Sequence, residues 1–361
     1  MNTTTWPGAS ELHALAVLFC APSPPAFPQA TLRAATGAVD LAARRGAPGA
    51  TVQRVLQSFT AWRETARDTS LVTYWDASYP ALLREITRPP VALFAVGDVG
   101  VLAERTVALV GARAATPGAR QWTRDVGADL VRCGVMVTSG LARGIDAAAH
   151  VGALDAGGPT VAVLGSGPDE CYPPEHGDLA VRIAAAGCLL TEFPPGTGPR
   201  AWHFPRRNRI LAGMSAGVIV VQAVPQSGAL VTARHALDEN RSVMAVPGLV
   251  GDARSRGPHA LLRDGAALVE SAAEILAVLR WSPILRSCRA ARPAAAAPVM
   301  APDADGASLL EALGRGAAAE ELRARLGWDA GRLQGALATL ELAGCIVRQP
   351  GGQVAPAGRG C

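Results

Sequence analysis

The chain has 361 residues, 49% of them hydrophobic, and a formal charge of only +4. That length and apolar share suffice for two or three domains with a sizeable core, and the near balance of charge excludes a histone-like surface while allowing a localised basic patch. All 34 basic residues are arginine; without lysine there is no P-loop lysine, no Schiff base and no Ser–Lys dyad, whereas bidentate phosphate recognition by guanidinium stays open.

Residues 1–72 are Ala-rich and read as a small N-terminal helical domain, broken at "APSPPAFP" where prolines forbid a helix. The apolar run "LHALAVLFCAP" has no basic leader and is too short to span a bilayer, so a cytoplasmic protein is expected. The seven cysteines are dispersed, with no C-x-x-C pair, and read as buried or incidental thiols in preference to disulfides or zinc ligands. A lead-in from Tyr74 to Asp98, read as a turn, a short helix and a strand, opens the main domain, placed at 73–285.

From Thr106 onward short β-branched runs end in Gly or Ser and are followed by helical stretches: "TVALVGAR" (106–113), "GVMVTSG" (134–140), "TVAVLGSG" (160–167), "CLLTEF" (188–193), "GVIVVQA" (217–223) and "SVMAVPG" (242–248). Uniformly apolar strands alternating with helices predict an α/β fold, a Rossmann-like doubly wound, mainly parallel sheet. An Ala/Pro linker is expected at 286–306. Residues 307–361 read as three short helices and a hairpin, the order of a winged helix. From Asp303 onward seven acids face six arginines, which favours a protein-interaction or weak DNA role over a specific DNA reader.

Ligands of an open parallel sheet bind outside the carboxyl ends of its strands, where loops meet helix N-termini. Here those ends are Gly111-Ala112-Arg113, Ser139-Gly140-Leu141-Ala142-Arg143-Gly144, Gly165-Ser166-Gly167, Phe193-Pro194-Pro195-Gly196 and Ser227-Gly228. One glycine turn is ordinary; five converging on one edge point to phosphate, with glycines admitting close backbone approach and Arg113 and Arg143 supplying charge. In "HFPRRNRILAGMS", a helix beginning near Pro205 puts Arg206 and Arg209 on one face, with Ile210, Leu211 and Met214 anchoring it. These arginines reach either a ligand or a carboxylate such as Glu192 or Asp238, and Arg207 divides evenly between the two. Asn208 is a helix cap or a base or phosphate contact.

The spacing G-x-G-x-x-G is absent, which argues against NAD or FAD, and cationic features spread over several loops suit a polymer of phosphates, a single-stranded nucleic acid. Catalytic residues are not found. Glu175, His176 and Asp178 lack a partner motif for a metal, Asp146 is placed to meet a helix N-terminus or Arg143, and Ser139 and Ser166 have no histidine at a spacing that ensures contact. No cofactor and no metal are expected.

The ordered motifs "YPALLREI", "VGAR", "SGLARGIDAAAH", "AVLGSG", "YPPEH", "TEFPPG", "FPRRNRILAGMS", "SGALVTARHAL", "AVPG" and "RGPHALLRDGA" cover Tyr74 to Leu279 and resemble the DNA-processing protein A (DprA/Smf) family. The resemblance implies an extended Rossmann-like domain that binds single-stranded DNA, forms a homodimer, loads the recombinase RecA during natural transformation and has no established catalytic reaction. It further implies a small N-terminal helical (SAM-like) domain and a C-terminal winged helix. Arg113 resembles the family's essential phosphate-binding arginine. "SGLARG", "GSG", "FPRRNR" and "SG" resemble its DNA pocket, so the expected DNA-binding residues are Gly111, Arg113, Ser139, Gly140, Arg143, Gly144, Gly165, Ser166, Gly167, Gly196, Arg206, Arg207, Asn208, Arg209, Ser227 and Gly228. Ala112 and Ala229 stand where the family has Ser or Thr, and His203 and His259 where it has Asn. The alternative is a phosphoribohydrolase on a related scaffold, but its P-G-G-x-G-T-x-x-E motif is missing from "AVPGLVGDARSRG". A vestigial scaffold without nucleic-acid binding is a third reading.

Overall fold

The computed structural model describes residues 6–20, 27–43, 49–284, 304–313, 317–342, 345–349 and 353–356. Most of the proline break at 21–28, and the Ala/Pro linker as far as residue 303, lie outside the described residues. The chain divides into two compact units, Met1–Ala291 and Arg292–Cys361.

Four helices open the first unit: α1 (Ala9–Leu18), α2 (Gln29–Ala34), α3 (Ala38–Ala43) and α4 (Gly49–Thr65). They share one core with the sheet that follows. Phe19 and Phe59 pack edge-on against Phe94, with ring centroids 5.6 and 5.1 Å away, and this aromatic triangle ties the helices to a strand. That strand, β2 (Ala92–Gly97), pairs with β1 (Thr69–Thr73) across the short helix α5 (Ala81–Arg84).

Six strands then alternate with helices: β3 (Thr106–Val110), α6 (Pro117–Arg132), β4 (Met136–Ser139), α7 (Ile145–Asp155), β5 (Thr160–Val163), α8 (Gly177–Ala186), β6 (Cys188–Thr191), α9 (His203–Gly213), β7 (Gly217–Val220), α10 (Gly228–Asp238) and β8 (Ser242–Ala245). Helix α11 (Arg256–Arg263), strand β9 (Ala267–Leu268) and helix α12 (Ala272–Val278) complete the unit. All six runs read from the sequence are strands, and they are almost wholly buried, as sheets covered on both faces demand. The nine strands lie in the order β1-β2-β6-β5-β4-β3-β7-β8-β9, parallel from β6 to β9 and antiparallel at the β1-β2-β6 edge.

After β3 the chain builds outward through β4, β5 and β6, then returns through α9 to place β7 on the other side of β3. The crevice beyond the carboxyl ends of β3 and β7 is therefore the topological switch point. On one sheet face α6 and α12 pack on β3, β4, β7 and β8; on the other, α9 and α10 join the core of the N-terminal helices.

The second unit contains α13 (Ala304–Leu313), β10 (Ala317–Ala318), α14 (Ala319–Leu326), α15 (Ala330–Leu342), β11 (Ile346–Gln349) and β12 (Gln353–Pro356), with a three-stranded sheet ordered β10-β12-β11. Three helices around Leu309, Leu322 and Leu337, plus this wing, match the expected winged helix. Cys20, Cys133, Cys171 and Cys188 are free thiols, and Cys288 and Cys361 lie outside the described residues. Among the described residues no helix is long and apolar enough to cross a membrane.

Candidate nucleic-acid interface

Beyond β3 the chain turns through Gly111-Ala112-Arg113. A Cβ on Gly111 would stand 2.6 Å from Cγ1 of Ile145, and one on Gly144, at φ +77°, would overlap the Ala112 carbonyl. These two glycines let the β3 and β4 loops cross in contact. The side chain of Arg113 consequently stands exposed above the sheet edge, its Cζ 5.7 Å from the ring centroid of Phe204. Among the described residues it has no ion pair and no side-chain hydrogen bond.

Arg113 and Phe204 together line three adjoining depressions. One, about 390 Å³, lies at the switch point and is walled by Gly111, Asp146, Arg207, Asn208, Gly228 and Arg254. A second, of about 410 Å³, runs past Tyr172, Arg200 and Pro205. A narrow cleft reaches Gly140, Arg143 and Tyr172. The result is a groove along the carboxyl edge, bordered by four exposed or half-exposed arginines, Arg113, Arg143, Arg200 and Arg254. Two aromatic rings stand in it, Tyr172 and Phe204, 5.4 Å apart.

Helix α10 points its N-terminus into the cavity at the switch point. Ser227 caps it, its Oγ accepting from Ala229 N at 3.2 Å, and Asn208 Nδ2 donates to the Gly228 carbonyl at 3.1 Å, locking α9 to this turn. A Cβ on Gly228 would meet nothing within 4 Å, so the first turn is open to a ligand. Ala112 and Ala229, the positions where the family carries hydroxyls, both line the cavity.

Beneath the groove sits a buried charged layer. Arg207 is 4% exposed, donates from Nη1 to the Val163 carbonyl and faces Asp146, whose Oδ2 accepts from Gly140 N at 3.1 Å. Burial lowers the Arg207 pKa to about 10 against the attraction of Asp146; burial likewise raises the Asp146 carboxyl against the attraction of Arg207. Arg207 thus serves as a buried support for the β4–α7 loop.

Several residues expected to touch phosphate are engaged by other groups of the chain. Arg206 Nε donates to Glu192 Oε1 at 3.0 Å and Arg209 Nη2 to Glu192 Oε2, Arg209 also donating to the Arg88 carbonyl at 2.6 Å. Glu192 is 1% exposed, so these two cations balance a buried carboxylate. Ser139 and Ser166 are buried, their hydroxyls donating to the carbonyls of Leu109 and Glu170, both at 2.6 Å. Gly140, Gly165 and Gly167 make room for Arg207, the Phe204 ring and the Pro194 carbonyl, in place of a ligand. Gly196 is open, but its N–H donates to Asp169. Gly111, Arg113, Arg143, Asn208, Ser227 and Gly228 do converge on the groove. His176 and Glu175 turn apart, to the Leu141 carbonyl and to Arg143, and no metal cluster occurs among the described residues.

Tyr172, Arg200, Phe204 and Arg254 were not anticipated. The signal for Phe204 was present: an aromatic immediately before "PRRNR", in a chain with only six phenylalanines, is the interleaving of rings and cations that single strands use.

A family model described as DNA recombination-mediator protein A matches residues 70–280, and one described as DprA winged helix domain matches 292–352. Protein Smf of Escherichia coli is 45% identical over 204 residues, 56% of this chain; the match spans only 54% of that protein's length. The structure of DNA processing protein A from Streptococcus pneumoniae superposes with a TM-score of 0.64 at 32% identity, over 77% of this chain and 98% of the other. A DNA processing protein A from Helicobacter pylori, described for its single-stranded DNA binding mode, gives a TM-score of 0.54 at 27% identity, over 60% of this chain and 97% of the other.

Proposed function

Because the chain belongs to the DNA recombination-mediator protein A family, also named DprA or Smf, we propose that it holds single-stranded DNA along the carboxyl edge of its sheet and acts as a non-enzymatic mediator. In this reading it works as a cytoplasmic homodimer and loads RecA onto incoming strands during natural transformation. One observation carries the binding step. Arg113, with no acid partner among the described residues, sits where three depressions meet, between an aromatic ring and the open N-terminus of α10. A guanidinium so placed takes a phosphate, the rings stack on bases, and Gly228 offers main-chain donors. The single-stranded DNA described for the Helicobacter pylori relative supports the choice of ligand.

Fluorescence anisotropy with single- and double-stranded oligonucleotides tests it. Neutralising about four phosphates at a slope of roughly −0.7 each makes affinity fall by about fiftyfold between 50 and 200 mM salt. Arg113→Ala removes a charged contact of about 1.5–3 kcal/mol; unchanged affinity in that variant refutes the assignment. Gel shifts with and without RecA test the mediator step, and release of free base from AMP would favour the phosphoribohydrolase reading instead.

A further inference from the structure

The groove's arginines differ in what holds them. Arg113, at the centre, has no acid beside it among the described residues. At one end Arg143 Nε donates to Glu175 Oε1, and both side chains are about half exposed, 50% and 49%. At the other end Arg254 is gripped on its carboxylate-binding edge, Nε to Asp252 Oδ1 and Nη2 to Asp252 Oδ2, each 3.0 Å, while Nη1 leans on the Ala114 carbonyl at 3.4 Å. Both acids come from short turns that touch the rim: Glu175 from the one-turn helix Pro174–His176, and Asp252 from the cap of Ala253–Ser255. A phosphate oxygen pair needs the same guanidinium edge that each carboxylate occupies.

Resting on the single-strand reading above, we propose that Glu175 and Asp252 are phosphate surrogates, carboxylates that the strand displaces from Arg143 and Arg254 and that thereby select a polyanion anchored at Arg113 over single phosphates. The exchange is feasible because both pairs reach solvent: Arg143 and Glu175 are half exposed, while Arg254 and Asp252 keep 37% and 17% of their side-chain surface, so a released carboxylate turns to water at a turn on the rim. Glu192 is the contrasting case. At 1% exposure it cannot leave Arg206 and Arg209 without remaining unpaired in the interior. A lone phosphate gains little by trading one exposed ion pair for another. On a strand already held at Arg113, neighbouring phosphates arrive at a high effective concentration, and both exchanges become intramolecular.

The test is a set of anisotropy titrations with an oligothymidylate on the full chain, with unfolding midpoints measured in parallel. Glu175→Gln and Asp252→Asn keep the shapes, and Asn also keeps the N-cap that Asp252 gives Arg254 N at 2.8 Å. Each is expected to tighten binding by about two- to fivefold, the worth of an exposed pair, and the double variant by the product. Asp178→Asn is the control: an exposed acid three residues beyond Glu175 that pairs with no arginine among the described residues, its loss changes the net charge identically and leaves affinity within about twofold of the parent. In an Arg143→Ala background the Glu175→Gln gain disappears. Equal tightening by Asp178→Asn, a gain that survives Arg143→Ala, or no gain in either surrogate variant overturns the proposal. A parent chain that binds no strand sinks the underlying reading as well, and that outcome is distinct because no variant then titrates.

Discussion

The guanidinium of Arg207 fills the space that a side chain would need at position 140: a Cβ added to Gly140 would stand 2.6 Å from Arg207 Cζ. The glycine is thus explained by a buried protein cation, not by the approach of a ligand. Gly140→Ala must push that cation away from Asp146 and from the Val163 carbonyl it donates to. Overpacking of this kind costs about 1–3 kcal/mol, read as a lower denaturation midpoint with an unchanged slope. Gly228→Ala, with nothing within 4 Å of its added methyl, is the opposite case: stability holds while the methyl intrudes on the groove and weakens strand binding.

Glu192 holds two arginines of α9 on one buried carboxylate. Glu192→Ala leaves both cations without their main partner and is expected to cost about 3–5 kcal/mol. Arg206→Ala or Arg209→Ala leaves the carboxylate one arginine and costs less. Thermal unfolding should rank the three in that order. If Arg206→Ala abolished strand binding while leaving the melting temperature untouched, the assignment of this pair to the fold would be wrong.

How far the sequence revealed the site depends on what each residue type reports. Six apolar runs, most of them meeting Gly or Ser at their ends, identified the parallel strands and the edge where ligands bind, because burial on both faces writes itself directly into composition. Arg113 was legible for the same reason, as it follows a strand at the switch point. Arg206 and Arg209 were not, because helical spacing shows that two side chains share a face without showing what that face meets. Glu192 lies just past the end of β6, in another loop, and is only one of two carboxylates that the sequence offers them. Ser139 and Gly140 show the ambiguity from the other side. A small polar residue in a turn can serve a ligand or the neighbouring loop, and only the packing decides. Strand β2 is the strand of the lead-in, whereas β1, Thr69–Thr73, escaped because it closes a stretch whose alanine-rich composition reads as helix.

His150 makes stability depend on pH. It is buried beside Thr160, with Nδ1 2.8 Å from Thr160 Oγ1, and burial holds its pKa at about 3 against an ordinary 6.5. Between those values the unfolded chain binds a proton that the native chain refuses, so stability rises with pH and is lost on acidification, by up to about 1.4 kcal/mol per pH unit. His203 and His235, also lowered mainly by burial, act in the same direction. Asp146 opposes them: its raised carboxyl pKa gives the native state extra proton affinity above 3.8. Denaturation midpoints from pH 7 down to 4.5 should therefore fall, and His150→Gln should flatten that slope whatever its effect on the midpoint at neutral pH. A slope identical in parent and variant would place the titrating group elsewhere.

Phe204 separates stacking from charge. Its ring covers Gly165, where a Cβ would come within 2.8 Å of the ring, lies 5.4 Å from Tyr172, and has the Arg113 guanidinium 5.7 Å from its centroid. Being only half-buried at the groove wall, it contributes little to the core. Phe204→Ala is expected to cost about 1–3 kcal/mol of single-strand affinity, the worth of one stacked base, without altering the salt slope, because no phosphate contact is lost. Phe204→Tyr should restore binding, since a phenol ring stacks as a phenyl ring does. A variant whose affinity falls together with its salt slope would show that the ring acts by placing Arg113, and stacking would then have to be given up as its role.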